Sequence, residues 1–214
     1  MGLKEQLLEF QEKFIKSQKP EVIDMLVAAN EEIFATDLVS RALPLGAEAP
    51  DFSLVNPQKQ LKTFSDIRGE NGLIISFYRG NWCPYCNIEL TALQGYLSEF
   101  KKLRVNLAAV SPESPDQSLS TQEINHLSFE VLSDSQHKTI TDFGLDFRLP
   151  ESYHEAMAML GIDLKAFYGK DPVDLAVPAT YVLDKNRHVI QRFVDMDYSL
   201  RLDPEDIINF LQKL

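Results

Sequence analysis

One stretch constrains this chain more than any other. An apolar run, Leu73-Ile74-Ile75-Ser76-Phe77-Tyr78, is followed five residues later by Cys83-Pro84-Tyr85-Cys86. The run is rich in β-branched and aromatic residues and suits a buried strand. Helical periodicity starts at the cysteines and continues through Ile88, Leu90, Leu93, Tyr96, Leu97 and Phe100 to about Leu103. A strand that feeds a helix through a cysteine pair sets both sulfurs at the positive end of the helix dipole. Cys83 falls at the N-cap and Pro84 at the first helical position, where its missing N–H costs nothing. A Cys83 thiolate is expected to accept the free N–H groups of the first turn. Such placement lowers a cysteine pKa from about 8.5 into the range ~3.5–7.5.

Strand and helix signals alternate around this unit. Leu107 to Val110 and Phe129 to Leu132 read as further strands, residues 137–143 as a helix, and Thr180 to Leu183 with Val189 to Val194 as a hairpin over Asp184-Lys185-Asn186-Arg187. Asp203-Pro204 opens a closing helix to Leu214. This order implies an α/β fold, a mixed sheet with helices on both faces. Residues 150–175 fit no strand and read as an insertion, with a helix over Glu151 to Leu160 and a loop at Gly169-Lys170-Asp171-Pro172. Residues 3–42 read as a helical hairpin broken at Lys19-Pro20. It is expected to cover either a sheet face or a dimer partner. The turn-rich Pro44 to Pro50 stretch marks a boundary, giving a helical extension over 1–42 and an α/β domain over 43–214.

Charge narrows the partners. Against 32 Asp and Glu stand 21 Lys and Arg among 214 residues, a formal net charge of −11. With no basic stripe, neither nucleic acid nor an anionic membrane surface is expected as a partner. No apolar run reaches the roughly 20 residues of a spanning helix, and Met1 to Gln6 does not read as a secretory leader, so the expected location is cytoplasmic.

The two cysteines are the only ones, so a zinc site would need two histidines. His126, His137, His154 and His188 lack ligand spacing, and no metal or organic cofactor is expected. A structural disulfide across so small a loop stabilises little. Buried inert thiols stay open as an alternative, as does a redox-sensing binding module that uses the helical extension as its contact surface. Redox chemistry is the reading these residues favour.

Several ordered segments carry a resemblance. Gly46-Ala47-Glu48-Ala49-Pro50-Asp51-Phe52, Phe77 to Cys86, Ser133-Asp134 through Asp142-Phe143-Gly144, and Pro178 to Asp184 together resemble the peroxiredoxin-like (AhpC/TSA, redoxin) family. The resemblance implies a thioredoxin-like fold and a thiol-dependent peroxidase. The family's P-x-x-x-[TS]-x-x-C motif, aligned on Cys86, puts Arg79 at its proline and Cys83 at its Thr/Ser. The family's activating arginine falls near His137. Pro178 resembles the cis-proline that packs against C-x-x-C in thioredoxins and glutaredoxins, and Pro84-Tyr85 is the glutaredoxin dipeptide.

Two mechanisms follow from the resemblance. In the first, Cys86 attacks hydrogen peroxide or an organic hydroperoxide, becomes a sulfenic acid and condenses with Cys83; thioredoxin or a glutathione-type reductant recycles the disulfide. In the second, Cys83 attacks a small disulfide and Cys86 resolves it. Helix-cap geometry favours Cys83 as the attacking thiol, and the aligned motif favours Cys86. Arg79, Trp82, Pro178 and His137 are the supporting candidates, His137 as a protonated stand-in for the missing cation. Self-association as a homodimer stays open.

Overall fold

The computed structural model describes residues 1–171 and 173–214, so Pro172 of the expected loop lies outside the described residues. The chain opens with α1 (Leu3–Ser17), α2 (Pro20–Phe34) and a short α3 (Leu38–Arg41). Then come β1 (Ser53–Val55), β2 (Leu61–Thr63), α4 (Phe64–Ile67), β3 (Gly72–Phe77), α5 (Pro84–Gly95), α6 (Leu97–Lys102) and β4 (Val105–Ser111). There follow α7 (Pro115–Ile124), β5 (Glu130–Ser133), α8 (Lys138–Asp142), β6 (Asp146–Arg148), α9 (Glu151–Met159) and α10 (Leu164–Tyr168). The chain closes with β7 (Asp174–Ala176), β8 (Ala179–Asp184), β9 (Val189–Val194) and α11 (Pro204–Leu211).

Seven strands form one sheet in the order β2-β1-β5-β4-β3-β8-β9. β3 pairs parallel with β4 and antiparallel with β8, and β4 pairs parallel with β5. β3 is buried at every residue because both faces are covered, which is why its sequence is continuously apolar instead of alternating. Its side chains still alternate in destination. Leu73, Ile75 and Phe77 join a core with α2 and α9, whereas Ile74 joins a second core with α5, α6 and α11. The mixed sheet with helices on both faces is the thioredoxin-like arrangement expected.

The N-terminal helices divide between the two faces. Leu3 and Leu7 of α1 enter the α5 core, and Val22, Leu26, Ala29 and Ile33 of α2 enter the α9 core. The short Gln18–Lys19 link therefore crosses the end of the molecule where the cysteines lie.

Some expectations needed correction. The helix expected from Cys83 to Leu103 is two helices, broken around Gly95 and Tyr96, where glycine's weak helix propensity meets a tyrosine outside helical geometry. The insertion is not free of strand, since β7 begins at Asp174 and pairs with β6 as a separate two-stranded ribbon. Within the insertion, α9 ends at Met159 and is followed by α10. Helix α7 gave no apolar signal because its buried residues are Ser118 and Thr121.

Candidate active site

Cys83 is the N-cap of α5, in extended geometry, with Pro84 opening the helix. Its sulfur makes no capping bond to the first-turn N–H groups, contrary to the expectation. It turns inward instead, because two better donors are there. Arg79 Nη2 donates to Cys83 Sγ at 3.1 Å, and the Cys86 thiol donates to the same sulfur at 2.8 Å. Both cysteines are reduced and fully buried. Burial opposes ionisation of Cys83, but the Cys86 hydrogen bond together with Arg79 and Arg201 brings its pKa down to about 5. Cys86 moves the other way, pushed up by burial and by its bond to Cys83. The negative charge of the pair therefore resides on Cys83.

Arg79 is held from three directions. Its Nη1 donates to Tyr153 Oη at 2.8 Å. Its guanidinium carbon lies 3.9 Å from the ring centre of Tyr198 and 5.0 Å from that of Trp82, a cation–π sandwich. Among the described residues it forms no ion pair with a carboxylate, and its Nε finds no acceptor. The backbone around it is pinned as well. Trp82 Nε1 donates to Tyr168 Oη at 2.8 Å, and that hydroxyl donates to the Arg79 carbonyl. Gly80 passes so close that a Cβ would stand 2.7 Å from Trp82 Nε1 and 2.8 Å from Tyr168 Oη. Buried Glu113 holds the loop from below, accepting from Tyr78 Oη at 2.6 Å and from the Asn81 N–H at 2.8 Å.

A second arginine stands behind Cys86. Arg201 Nε donates to Glu89 Oε2 at 2.6 Å, an ion pair with each side chain 1% exposed, and Arg201 Nη2 reaches Cys86 Sγ at 3.6 Å. Thr180 Oγ1 donates to the other Glu89 oxygen at 3.2 Å. Burial outweighs these partners and raises the Glu89 pKa to about 7.

The geometry thus gathers Cys83, Cys86, Arg79 and Trp82. Pro178 is buried at the entrance of β8, whose Ala179 faces Phe77 across the sheet. His137 is not the missing cation. It caps α8 with its Nε2 2.7 Å from Lys170 Nζ, and burial followed by the Lys170 charge pushes its pKa down to about 4, so it is neutral at pH 7. Arg79 supplies the charge instead. The sequence reading missed Arg201, Tyr198, Tyr153 and Tyr168. Glu89 had left a trace: it is an acid one turn after Cys86, on a helix face that otherwise faces the core.

An apolar cavity of about 350 Å³ opens beside Arg79, Trp82, Pro84 and Tyr85. Its outer walls come from α1, α2 and α9.

A sheet of this order, with a C-x-x-C pair entering the helix after its central strand, defines a protein of the thioredoxin fold. The chain belongs to the AhpC/TSA family, which it matches over residues 45–192. It is 28% identical to Peroxiredoxin Bcp of Escherichia coli over 103 residues, 48% of this chain and 65% of that one. A Haemophilus influenzae protein of the same bcp designation is 32% identical over 103 residues and is covered to 66%. The chain thus spans just under two thirds of the length of these relatives. Among solved structures, Peroxidoxin BcpB from Mycobacterium tuberculosis superposes with a TM-score of 0.63 at 17% identity, covering 80% of this chain and 98% of that one. A cysteine-to-serine mutant of Xylella fastidiosa PrxQ gives 0.62 at 16% identity, covering 80% and 96%. Arg201, Tyr198 and the α1–α2 walls of the cavity lie outside the matched segment.

Proposed function

We propose that the chain is a thiol-dependent peroxidase in which Cys83 attacks the peroxide and Cys86 resolves the product. The observation that carries this reading is the unpaired Arg79 guanidinium 3.1 Å from the Cys83 sulfur. The thiolate is the nucleophilic form, and a pKa of about 5 keeps it populated at neutral pH. This reverses the order implied by the aligned motif, in which Cys86 forms the sulfenate.

The Cys83 thiolate attacks one peroxide oxygen, the O–O bond breaks, and the departing oxygen leaves as water or an alcohol after taking a proton. Cys83 becomes a sulfenic acid. Cys86 then displaces its hydroxyl as water and forms the Cys83–Cys86 disulfide. The two sulfurs start 2.8 Å apart, against about 2.04 Å in a disulfide, so the step needs little movement. A dithiol protein such as thioredoxin, or a glutathione-type reductant, restores both thiols. Arg79 holds the thiolate, and Trp82 and Tyr168 fix the loop that carries it.

The second reading, thiol–disulfide exchange led by Cys83, draws support from the same low pKa. Complete burial of both sulfurs weighs against it, since a bulky disulfide must reach the sulfur and a peroxide is small. We further place the protein in the cytoplasm, where reductants recycle such pairs, with residues 1–42 as an extension on a redoxin domain of 43–214. Homodimer formation belongs to this proposal and is checked by light scattering. No described helix is long and apolar enough to cross a membrane.

The experiment is stopped-flow mixing of reduced protein with hydrogen peroxide, followed by Trp82 emission, in Cys83→Ser and Cys86→Ser variants. The expected result is loss of the reaction in Cys83→Ser, with a sulfenate trapped by dimedone in Cys86→Ser. The opposite pattern restores the aligned assignment. A wild-type rate no faster than free cysteine removes the peroxidase reading.

A further inference from the structure

Cys86 has to lose a proton to close the disulfide, and its present acceptor does not survive the first half of the reaction. In the reduced protein that proton points at the Cys83 thiolate, 2.8 Å away. Once Cys83 is a sulfenic acid, it no longer carries the charge that accepts it. Both sulfurs are fully buried, away from solvent as an alternative acceptor.

Behind Cys86 stands a group that can take the proton. Glu89 follows it by three residues on α5, a spacing that puts side chains on one helix face. The carboxylate is 0% exposed, and the Cys86 charge acts directly on it. Arg201 joins the two, with Nε donating to Glu89 Oε2 at 2.6 Å and Nη2 to Cys86 Sγ at 3.6 Å. Among the described residues, the other oxygen, Oε1, meets only the Thr180 hydroxyl, at 3.2 Å. A proton moving from Cys86 Sγ to Glu89 Oε1 shifts one negative charge between two neighbours of the same guanidinium. Arg201 is paired before and after, so the core never holds an uncompensated charge.

Stability is a poor explanation for this pair, since buried ion pairs are often replaceable by apolar residues at no cost. Glu113 makes a useful contrast. Equally buried, it is satisfied by four neutral donors, the hydroxyls of Tyr78, Ser111 and Thr121 and the Asn81 N–H. Around Glu89 and Arg201 the charged and titratable groups are Cys86, Cys83 and Arg79, while β8 contributes the uncharged Thr180. Burial lifts Glu89 to about 7, where a carboxylate both takes up and returns a proton at neutral pH.

We propose that Glu89 is the proton acceptor for Cys86 in the resolving step, with Arg201 the cation that the two anions share in turn. The inference rests on the peroxidase reading and adds the route of the proton. The Cys86 proton goes to Glu89 Oε1, Cys86 Sγ bonds to Cys83 Sγ, and the S–O bond breaks. The departing hydroxide takes a proton from solvent and leaves as water. When a dithiol reopens the disulfide, Cys86 leaves as a thiolate and recovers its proton from Glu89.

The test is stopped-flow mixing of full-length reduced protein with hydrogen peroxide, followed by Trp82 emission across neutral pH. The phase to read is the one whose rate is independent of peroxide concentration, which is closure of the disulfide. In the native chain that rate is expected to rise as Glu89 loses its proton, with an inflection near pH 7. Glu89→Gln keeps both hydrogen-bond partners but takes up no proton. It is expected to slow closure about a hundredfold at pH 7, the lower end of what a positioned base contributes, and to remove the inflection. A charge effect alone predicts the reverse, since freeing Arg201 makes Cys86 more acidic and closure faster. Thr180→Val decides where circular dichroism shows that Glu89→Gln has not folded. It leaves both charges in place and moves the inflection to higher pH, because the lost hydrogen bond favoured the carboxylate. A native profile without the inflection overturns the inference while the peroxidase reading stands. So do closure unchanged or faster in Glu89→Gln, closure slowed with the inflection intact, and an inflection that Thr180→Val does not move. Failure of the peroxide-dependent phase to outrun free cysteine removes both.

Discussion

The two buried arginines of the site look alike and do opposite things. Arg79 is sandwiched between Trp82 and Tyr198, meets no carboxylate among the described residues, and spends its charge on Cys83. Arg201 lies just as deep but is neutralised by Glu89 at 2.6 Å, so what reaches Cys86 is a weak contact at 3.6 Å. A guanidinium lends its charge to a thiol only to the extent that no carboxylate has claimed it. Aromatic faces hold the cation in place without quenching it, and Arg79 thereby adds to the Cys86 hydrogen bond in favouring ionisation of Cys83.

The comparison breaks most visibly at the paired arginine. Arg201→Ala leaves Glu89 buried and alone, and stability measured by urea unfolding is expected to fall by about 3–5 kcal/mol. Glu89→Gln keeps an acceptor for Arg201 but frees its charge to act on the thiols, so the apparent pKa of Cys86 falls. The check is the pH dependence of iodoacetamide labelling in a Cys83→Ser background; an unchanged Cys86 profile would contradict the quenching argument.

Arg79→Met removes the unclaimed charge. The Cys83 pKa then climbs from about 5, held back only by the Cys86 hydrogen bond and Arg201, and the thiolate fraction at pH 7 falls. Peroxide rates measured at pH 7 follow that fraction. In the native chain the same rate is expected to be flat at neutral pH and to decline as pH falls through about 5, because protonation removes the nucleophile. A decline centred near pH 8 would place the reactive thiol elsewhere.

Two smaller changes sharpen the picture. Gly80→Ala drives a Cβ into Trp82 and Tyr168 and is expected to cost about 1–3 kcal/mol, with a shift in the emission of Trp82, the chain's sole tryptophan. Thr180→Val takes one hydrogen bond from the buried Glu89 carboxylate, costs about 1 kcal/mol, and raises the Glu89 pKa above its present value of about 7. Raised above its unfolded value, Glu89 favours the fold most fully at pH below 4.5, and that contribution is lost as pH rises through about 7.

The sequence exposed the parts of this arrangement that depend on neighbours along the chain. Strand β3, the Cys83 cap, the Pro84 start and the β8–β9 hairpin were all legible, because periodicity, caps and turns are local physics. Arg79 was in view because it lies four residues before Cys83. Arg201 was not, since 115 residues separate it from Cys86 and no spacing rule spans that gap. His137 misled for the same reason: its position in an aligned segment said nothing of Lys170, which folds over it from the insertion. Helix α7 was hidden by polar residues that bury as a network, Ser118 on Ser133 and Thr121 on Glu113.

The Leu3 N–H donates to Asp203 Oδ2, and Tyr198 and Arg201 come from the segment just before that aspartate. A ribosome makes residue 3 two hundred residues before Asp203, so this contact closes only after the α5 surface that receives Leu3 and Leu7 has long been made. Closing so long a loop is slow, and until it closes Arg79 lacks one of its aromatic faces and Cys86 lacks Arg201. The nascent cysteines accordingly emerge without two of the side chains, Tyr198 and Arg201, that complete their surroundings.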